Sequence, residues 1–352
     1  MPAFQIKNKD KNLSIFNLLF WKIMVKFYYN YFLIYTSPKN KNKLYFKKSR
    51  YARMKKSYYL QILLVLLLIV SLNGCLGKSS ASSADKCKWA GVRESTYGIS
   101  SFYASFPSPP VWADAIYQMA SRWSGAIPTA IWLVGVVSTE TTGTILQFTA
   151  PEGTYDSKIQ FNPKVANHEF CLTYFDIHCI KVFLQLEPGF ASVTDQINAV
   201  LKKFAHHRCV AGLAIDVEWY QNAASGGTSG SVTDALAQKW ETLVQSYNQD
   251  FRLLLKHWDS QYFPPNYKGR IIFCCDGQGA GSLNKFLQEH QKMADYAYPN
   301  PVVYQIGYPS DQTWWGKYSD ALKTLGDALI SQTPDDQDCG IIWVDFSFGQ
   351  FK

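Results

Sequence analysis

The chain has 352 residues, 47% of them apolar or aromatic and 18% charged, a composition that supports a large core and excludes intrinsic disorder. The formal charge of +8 is unevenly placed: residues 1–75 hold 14 Lys and Arg against the single acid Asp10, a net +13, whereas residues 76–352 hold 21 against 26, a net −5. A mildly acidic body argues against nucleic acid as a partner.

From Met54 the sequence runs MKKSYYLQILLVLLLIVSLNGC. A short cationic head at Lys55 and Lys56, an apolar run Ile62 to Val70 and the ending Leu72-Asn73-Gly74-Cys75 make the three-part layout of a secretory signal over residues 54–75. The LNGC ending resembles the lipobox of prokaryotic lipoproteins, which implies Cys75 as the lipid-bearing residue and a membrane-tethered, extracytoplasmic body. An uncleaved membrane anchor is the competing reading. Residues 1–53 are Lys/Asn-rich, and the apolar stretch Leu13 to Tyr35 is interrupted by Lys22 and Lys26. Met54 is therefore expected to be the true start, with residues 1–53 a mis-assigned extension; the competing reading is an additional membrane segment. Residues 76–92 include the Ser-rich LGKSSASSAD and are expected to form a flexible tether. Seven cysteines follow Cys75, an odd number without C-x-x-C spacing, so one disulfide involving Cys171 or Cys179 is expected and a zinc site is not.

From residue 93 onward short apolar runs alternate with longer amphipathic ones. Strands are predicted at Tyr97–Tyr103, Ala130–Val137, Ile180–Glu187, Val210–Trp219, Arg270–Asp276, Val302–Gly307 and Gly340–Phe346, with an eighth hidden in Thr144–Phe148 or Phe170–Phe175. Two SVTD sequences, at Ser192 and Ser231, predict capped helix starts. The second helix is expected to reach Trp258, because Leu236, Trp240, Leu243, Tyr247, Phe251, Leu254 and Trp258 step by three or four. Strand–helix alternation over this length predicts an α/β fold, a (β/α)8 TIM-type barrel over 93–352, with a doubly wound sheet as the alternative.

Side-chain phase picks out a candidate site. In Gly212-Leu213-Ala214-Ile215-Asp216-Val217-Glu218 the residues Gly212, Ala214, Asp216 and Glu218 share one strand face, with the apolar residues on the other. The same reading brings Gln185, Glu187, Asp276, Gln305, Trp343 and Asp345 to the C-terminal ends of neighbouring strands, where barrel enzymes keep their chemistry. Buried carboxylates cost several kcal/mol unless paired, so this convergence means either a site or a self-satisfied polar network closing the barrel top. Neighbouring carboxyls whose pKa values are pushed apart suit glycosidic bond cleavage, which needs a proton donor beside a negative charge. Trp219, Tyr220, Tyr308, Trp314, Trp315 and Trp343 fall at or beyond strand ends, and Trp314 and Trp315 are the expected sugar-stacking pair. The Gly-rich NAASGGTSG at 222–230 reads as a flap or a slack connector, and DGQGAGS at 276–282 as the turn into a helix. No metal or other cofactor is expected, since the six His residues fall in helical or loop-like stretches.

At Ala211–Glu218 the sequence resembles glycoside hydrolase family 18, the chitinase-like barrels, whose fourth strand carries D-G-x-D-x-D-x-E. Gly212, Asp216 and Glu218 match, whereas Ala211 and Ala214 stand where the family has Asp. The resemblance implies Glu218 as general acid, Asp216 as the residue orienting a substrate N-acetyl group, Tyr308 or Tyr304 as its support, and Trp343 as the tryptophan of the last strand. A pair of enzyme carboxylates, Glu187 with Glu218, is the alternative retaining arrangement. A catalytically silent carbohydrate-binding barrel and a solute-binding lipoprotein are the two competing functions.

Overall fold

A computed structural model describes residues 86–352 and the backbone of 32–37 and 40–48. The chain separates into two units, 1–76 and 77–352. In the first, Phe32–Ser37 and Asn40–Lys48 pair as an antiparallel ribbon. The signal expected over 54–75, with Cys75, lies outside the described residues. Among the described residues no helix is long and apolar enough to cross a membrane.

The second unit is built on eight parallel strands: β1 (Cys87–Glu94), β2 (Ile127–Val137), β3 (Lys181–Leu186), β4 (Val210–Asp216), β5 (Arg252–Lys256), β6 (Ile272–Cys275), β7 (Val302–Ile306) and β8 (Cys339–Val344). Each pairs with the next and β8 pairs back onto β1, closing a (β/α)8-type barrel and ruling out the doubly wound sheet. The interstrand helices are α1 (Pro109–Ala120), α2 (His168–Ile177), α3 (Val193–Phe204), α4 (Asp234–Tyr247), α5 (Leu283–Ala297) and α6 (Ala321–Gln332). Between β5 and β6 the chain makes only a 3₁₀ turn, Ser260–Tyr262.

Every strand of the barrel is buried on both faces, which is why these runs read as continuously apolar. Inside the barrel Ile131, Phe183, Ala214, Leu254, Ile272, Cys274, Val303 and Ile342 form one small cluster; the larger core lies between strands and helices. Gly212 is required by the approach of β4 to β5, since a Cβ there would lie 1.9 Å from the Arg252 carbonyl oxygen. Ser192 caps α3 by accepting from Asp195 N, as its SVTD predicts. In the second SVTD the cap is Thr233, not Ser231.

Three boundaries differ from the sequence reading. The first strand is Cys87–Glu94, which begins inside the expected tether and runs past its end, while the expected strand Tyr97–Tyr103 overlaps a short helix, Thr96–Ile99, capped by Ser95. The helix expected to run to Trp258 stops at Tyr247, and Arg252–Lys256 is β5. Phe251 and Leu254 fit a helical spacing, yet they lie on opposite sides of the barrel wall at β5, and because that strand is covered on both faces its continuous apolar run does not betray the strand by periodicity. Neither expected location holds the eighth strand: Thr144–Leu146 is a short antiparallel addition to β2, and Phe170–Phe175 lies in α2. Cys179 is disulfide-bonded, while Cys171 is a buried free thiol.

Candidate functional site

Axial positions at the C-terminal ends of the strands converge on a cavity of about 350 Å³ lined in part by Arg93, Tyr97, Glu187, Asp216, Glu218, Trp219, Lys256, Asp276, Tyr308 and Phe346. Its floor is an ion cluster. Asp216 ends β4, and its register partner on β5 is Lys256. The Lys256 ammonium lies 2.8 Å from Asp216 Oδ2 and also pairs with Asp276 Oδ2. Gln185 Nε2 donates to the same Asp216 oxygen at 3.2 Å. Asp216 Oδ1 and Asp276 Oδ1 are buried without a hydrogen-bond partner among the described residues. Burial opposes the charge on Lys256, but Asp216 and Asp276 more than offset it and hold the amine protonated. Burial pushes the Asp216 carboxyl upward, with Lys256 opposing.

A second cluster forms one wall. Arg93, on the axial face of β1, donates to Tyr97 Oη at 2.7 Å and to Glu187 Oε1 at 3.3 Å. Tyr97 Oη donates to the same Glu187 oxygen at 2.6 Å, and Val137 N reaches Oε2 at 3.3 Å. The guanidinium sits 5.2 Å from the Tyr97 ring centre and 5.9 Å from that of Phe346. Glu187 is thus tied down by three donors.

Glu218 differs from these. β4 ends at Asp216, and Glu218 projects from the 3₁₀ turn Val217–Trp219 rather than from the strand itself. It lines both this cavity and a neighbouring one of about 490 Å³ that continues to Trp258, Asp259, Gln278, Glu289 and Lys292. Among the described residues its carboxylate makes no hydrogen bond or ion pair, while its backbone carbonyl accepts from Asn222 Nδ2 at 3.0 Å and Ser229 Oγ at 2.8 Å. Asp259 N donates to His257 Nδ1 at 2.8 Å, leaving Nε2 as the protonated nitrogen that meets Ser229 Oγ at 3.3 Å. Burial lowers this imidazole to about 4, so it stays neutral. The 222–230 loop therefore braces Glu218 from behind, rather than hanging as a slack connector. Burial, then the nearby Asp276, raise the Glu218 carboxyl above its ordinary 4.5.

The expected residues divide cleanly. Glu218, Asp216, Glu187, Asp276 and Tyr308 line the cavity; Gln185 lies beneath it, bonded to Asp216. Gln305 is buried and bonded through Nε2 to Tyr308 Oη. Four assignments are corrected. Ile342, not Trp343, faces the barrel interior, so β8 is out of phase with the reading by one residue. Trp343 is fully buried toward the helices, its Nε1 donating to Ser347 Oγ at 2.8 Å and its ring against Gly307, whose φ of +93° a side chain would strain. Asp345 accepts from Ser95 N at 2.6 Å and lies behind Arg93, outside the cavity lining. Trp314 and Trp315 are buried, donating to Asp311 and to the Tyr308 carbonyl, and offer no stacking face to the cavity. Tyr220 likewise packs on Trp240. Of the loop readings, DGQGAGS does make the turn into α5, with Asp311 accepting from Gly279 N and Gly281 N and Ser282 as the helix cap.

Sequence reasoning missed Arg93, Tyr97, Lys256, Trp258 and Phe346. Arg93 falls at the first residue of the expected barrel, outside any expected strand, and Lys256 and His257 fall within the expected helix; a strand pattern in RLLLKHW is the available signal. Comparison with protein-family models, curated proteins and solved structures finds no match to this chain.

Proposed function

We propose that the barrel acts on the glycosidic bond of a polysaccharide or cell-wall glycan, with Glu218 as the general acid. The observation that carries this reading is the Glu218 carboxyl itself: raised by burial, without a partner among the described residues, braced through its carbonyl, and facing two adjoining cavities. Such a group can hold a proton and give it to a leaving oxygen. Glu187, fixed by Arg93, Tyr97 and the Val137 amide, is the second carboxylate.

The charge balance supports the same chemistry. Glu187, Asp216, Glu218 and Asp276 line the mouth with two cations, Arg93 and Lys256, so with Glu218 protonated as the acid three carboxylates face two cations beside an oxocarbenium-like transition state. The family 18 resemblance takes a particular form here. Ala214, where that family has Asp, sits in the apolar interior, and Asp216 finds its partner on the next strand as Lys256. An Asp216 held by a cation is less free to polarise an acetamido group, which favours the Glu187–Glu218 pair. A signal over 54–75 with lipid on Cys75 would place this activity at an extracytoplasmic membrane surface.

The test is a screen of residues 77–352 against β-linked N-acetylated and neutral glycans, reading hydrolysis and binding together for wild type and Glu218→Gln. Hydrolysis lost in Glu218→Gln with binding retained is the expected result. Hydrolysis that survives the substitution overturns the acid assignment, and binding without hydrolysis in the wild type selects the silent carbohydrate-binding barrel.

A further inference from the structure

A second cluster of ligating side chains lies at the opposite end of β4, away from the mouth. His206 and His207 follow α3, just before Val210 opens β4; Glu169 and Asp176 come from α2. His206 Nε2 lies 3.3 Å and His207 Nε2 3.2 Å from the same Glu169 oxygen, Oε1. These ligand atoms all fall within 4.8 Å of one another. Two ligands about 2.0–2.1 Å from a zinc ion at a tetrahedral angle stand roughly 3.3–3.4 Å apart, the spacing seen on both edges here.

The orientation of His207 points the same way. Its Nδ1 is 2.8 Å from Asp176 Oδ2, and because a carboxylate only accepts, Nδ1 carries the hydrogen. Its other nitrogen, Nε2, faces Glu169 Oε1 at 3.2 Å, so the ring is held with Nε2 aimed at the point where an ion would sit between the two. Asp176 is itself fixed by the Cys209 amide at 2.7 Å. A carboxylate that orients an imidazole so that its other nitrogen faces an ion is the usual outer-shell arrangement of a histidine metal site. His207 is buried, while the His206 side chain is 61% exposed, so one side of the cluster is rigid and the other open to solvent. Lys203 pairs at 3.9 Å with Glu169 Oε2, the other oxygen, leaving Oε1 to the histidines.

We propose that Glu169, His206 and His207 bind a divalent ion of the zinc class, with Asp176 as the outer-shell partner and water completing the coordination. Two imidazoles and one carboxylate suit zinc and its borderline neighbours rather than calcium or magnesium, which take oxygen ligands. The bound ion joins α2 to the turn that enters β4, and so acts as a clamp on the strand that carries Asp216. The proposal is independent of the glycan reading.

The test titrates zinc into the chelator-treated full-length protein by calorimetry, with cobalt as a spectroscopic stand-in and thermal unfolding as a second readout. One zinc per chain, a raised Tm and a cobalt spectrum with nitrogen ligation are expected. Glu169→Gln and His206→Gln, both at exposed positions where folding is not at stake, should each weaken binding by more than the roughly 10–100-fold that loss of an outer-shell partner costs, and abolish the Tm rise. Absence of binding to the wild type, or zinc affinity unchanged in both variants, overturns the proposal.

Discussion

Asp216 and Lys256 are register partners on adjacent parallel strands, and their charged atoms meet at 2.8 Å beneath the barrel mouth. The same ammonium neutralises Asp276, so one cation serves two buried carboxylates. Lys256→Met leaves both acids unpaired and should destabilise the barrel by about 3–5 kcal/mol in urea unfolding. Adding Asp276→Asn should recover part of that loss. A Lys256→Met protein as stable as the wild type would show that the cluster is not held by this cation.

Glu218 sets a pH dependence for activity. Its carboxyl is raised by burial and by Asp276, and a general acid works only while protonated. The rate should therefore fall as pH rises through a pKa above the ordinary 4.5. Glu218→Gln should cost roughly 100- to 10,000-fold in kcat, with the unfolding midpoint unchanged. A pH–rate profile whose alkaline limb is the same in wild type and Ser229→Ala, despite an altered kcat, would confirm that Ser229 acts by positioning.

Asp345 gives a pH dependence of stability. Burial raises its carboxyl to about 6, with Arg93 opposing. The folded state then holds more protons than the unfolded state between the ordinary 3.8 and about 6, so this group's contribution is present below that window and lost as pH climbs through it. Tm should decline across that range. Asp345→Asn, which keeps an acceptor for Ser95, should flatten the decline in a Tm-against-pH series.

Trp258 and Trp343 should respond in opposite ways. Trp258 is 55% exposed on the wall of the second cavity, and its loss to Ala should weaken binding of long glycans by about 1 kcal/mol while changing stability by less than about 0.5 kcal/mol. Trp343→Ala empties a fully buried volume and should cost about 3–5 kcal/mol of stability. Isothermal titration beside chemical unfolding separates the two. A Trp343→Ala protein with normal stability and lost binding would reinstate Trp343 as a ligand residue.

Legibility followed the range of the interactions. Alternation along β4 puts Gly212, Ala214, Asp216 and Glu218 on the axial face, and the structure keeps Ala214 and Asp216 there, while Glu218 reaches the cavity from the 3₁₀ turn that follows the strand. The same rule applied to β8 fails by one residue: alternation puts Trp343 on the rim, yet its ring packs against Gly307 and Trp315 outside the barrel while Ile342 fills the inside. The β5 run RLLLKH satisfied a helical period inherited from α4, and hiding that strand hid Lys256 with it.

From the sequence alone came the strand–helix alternation and the acids Glu187, Asp216, Glu218 and Asp276 at strand ends, since each depends on residues close in the chain, whereas closure into a barrel rather than a doubly wound sheet rests on β8 pairing back onto β1. The tertiary structure decided which partners those acids have. Arg93 reaches Glu187 across 94 positions, Lys256 reaches Asp216 through strand register, and Glu218 alone is left facing the cavity without a partner among the described residues. Pairing of buried charges is fixed by how strands align on closure, a long-range property that no local period encodes.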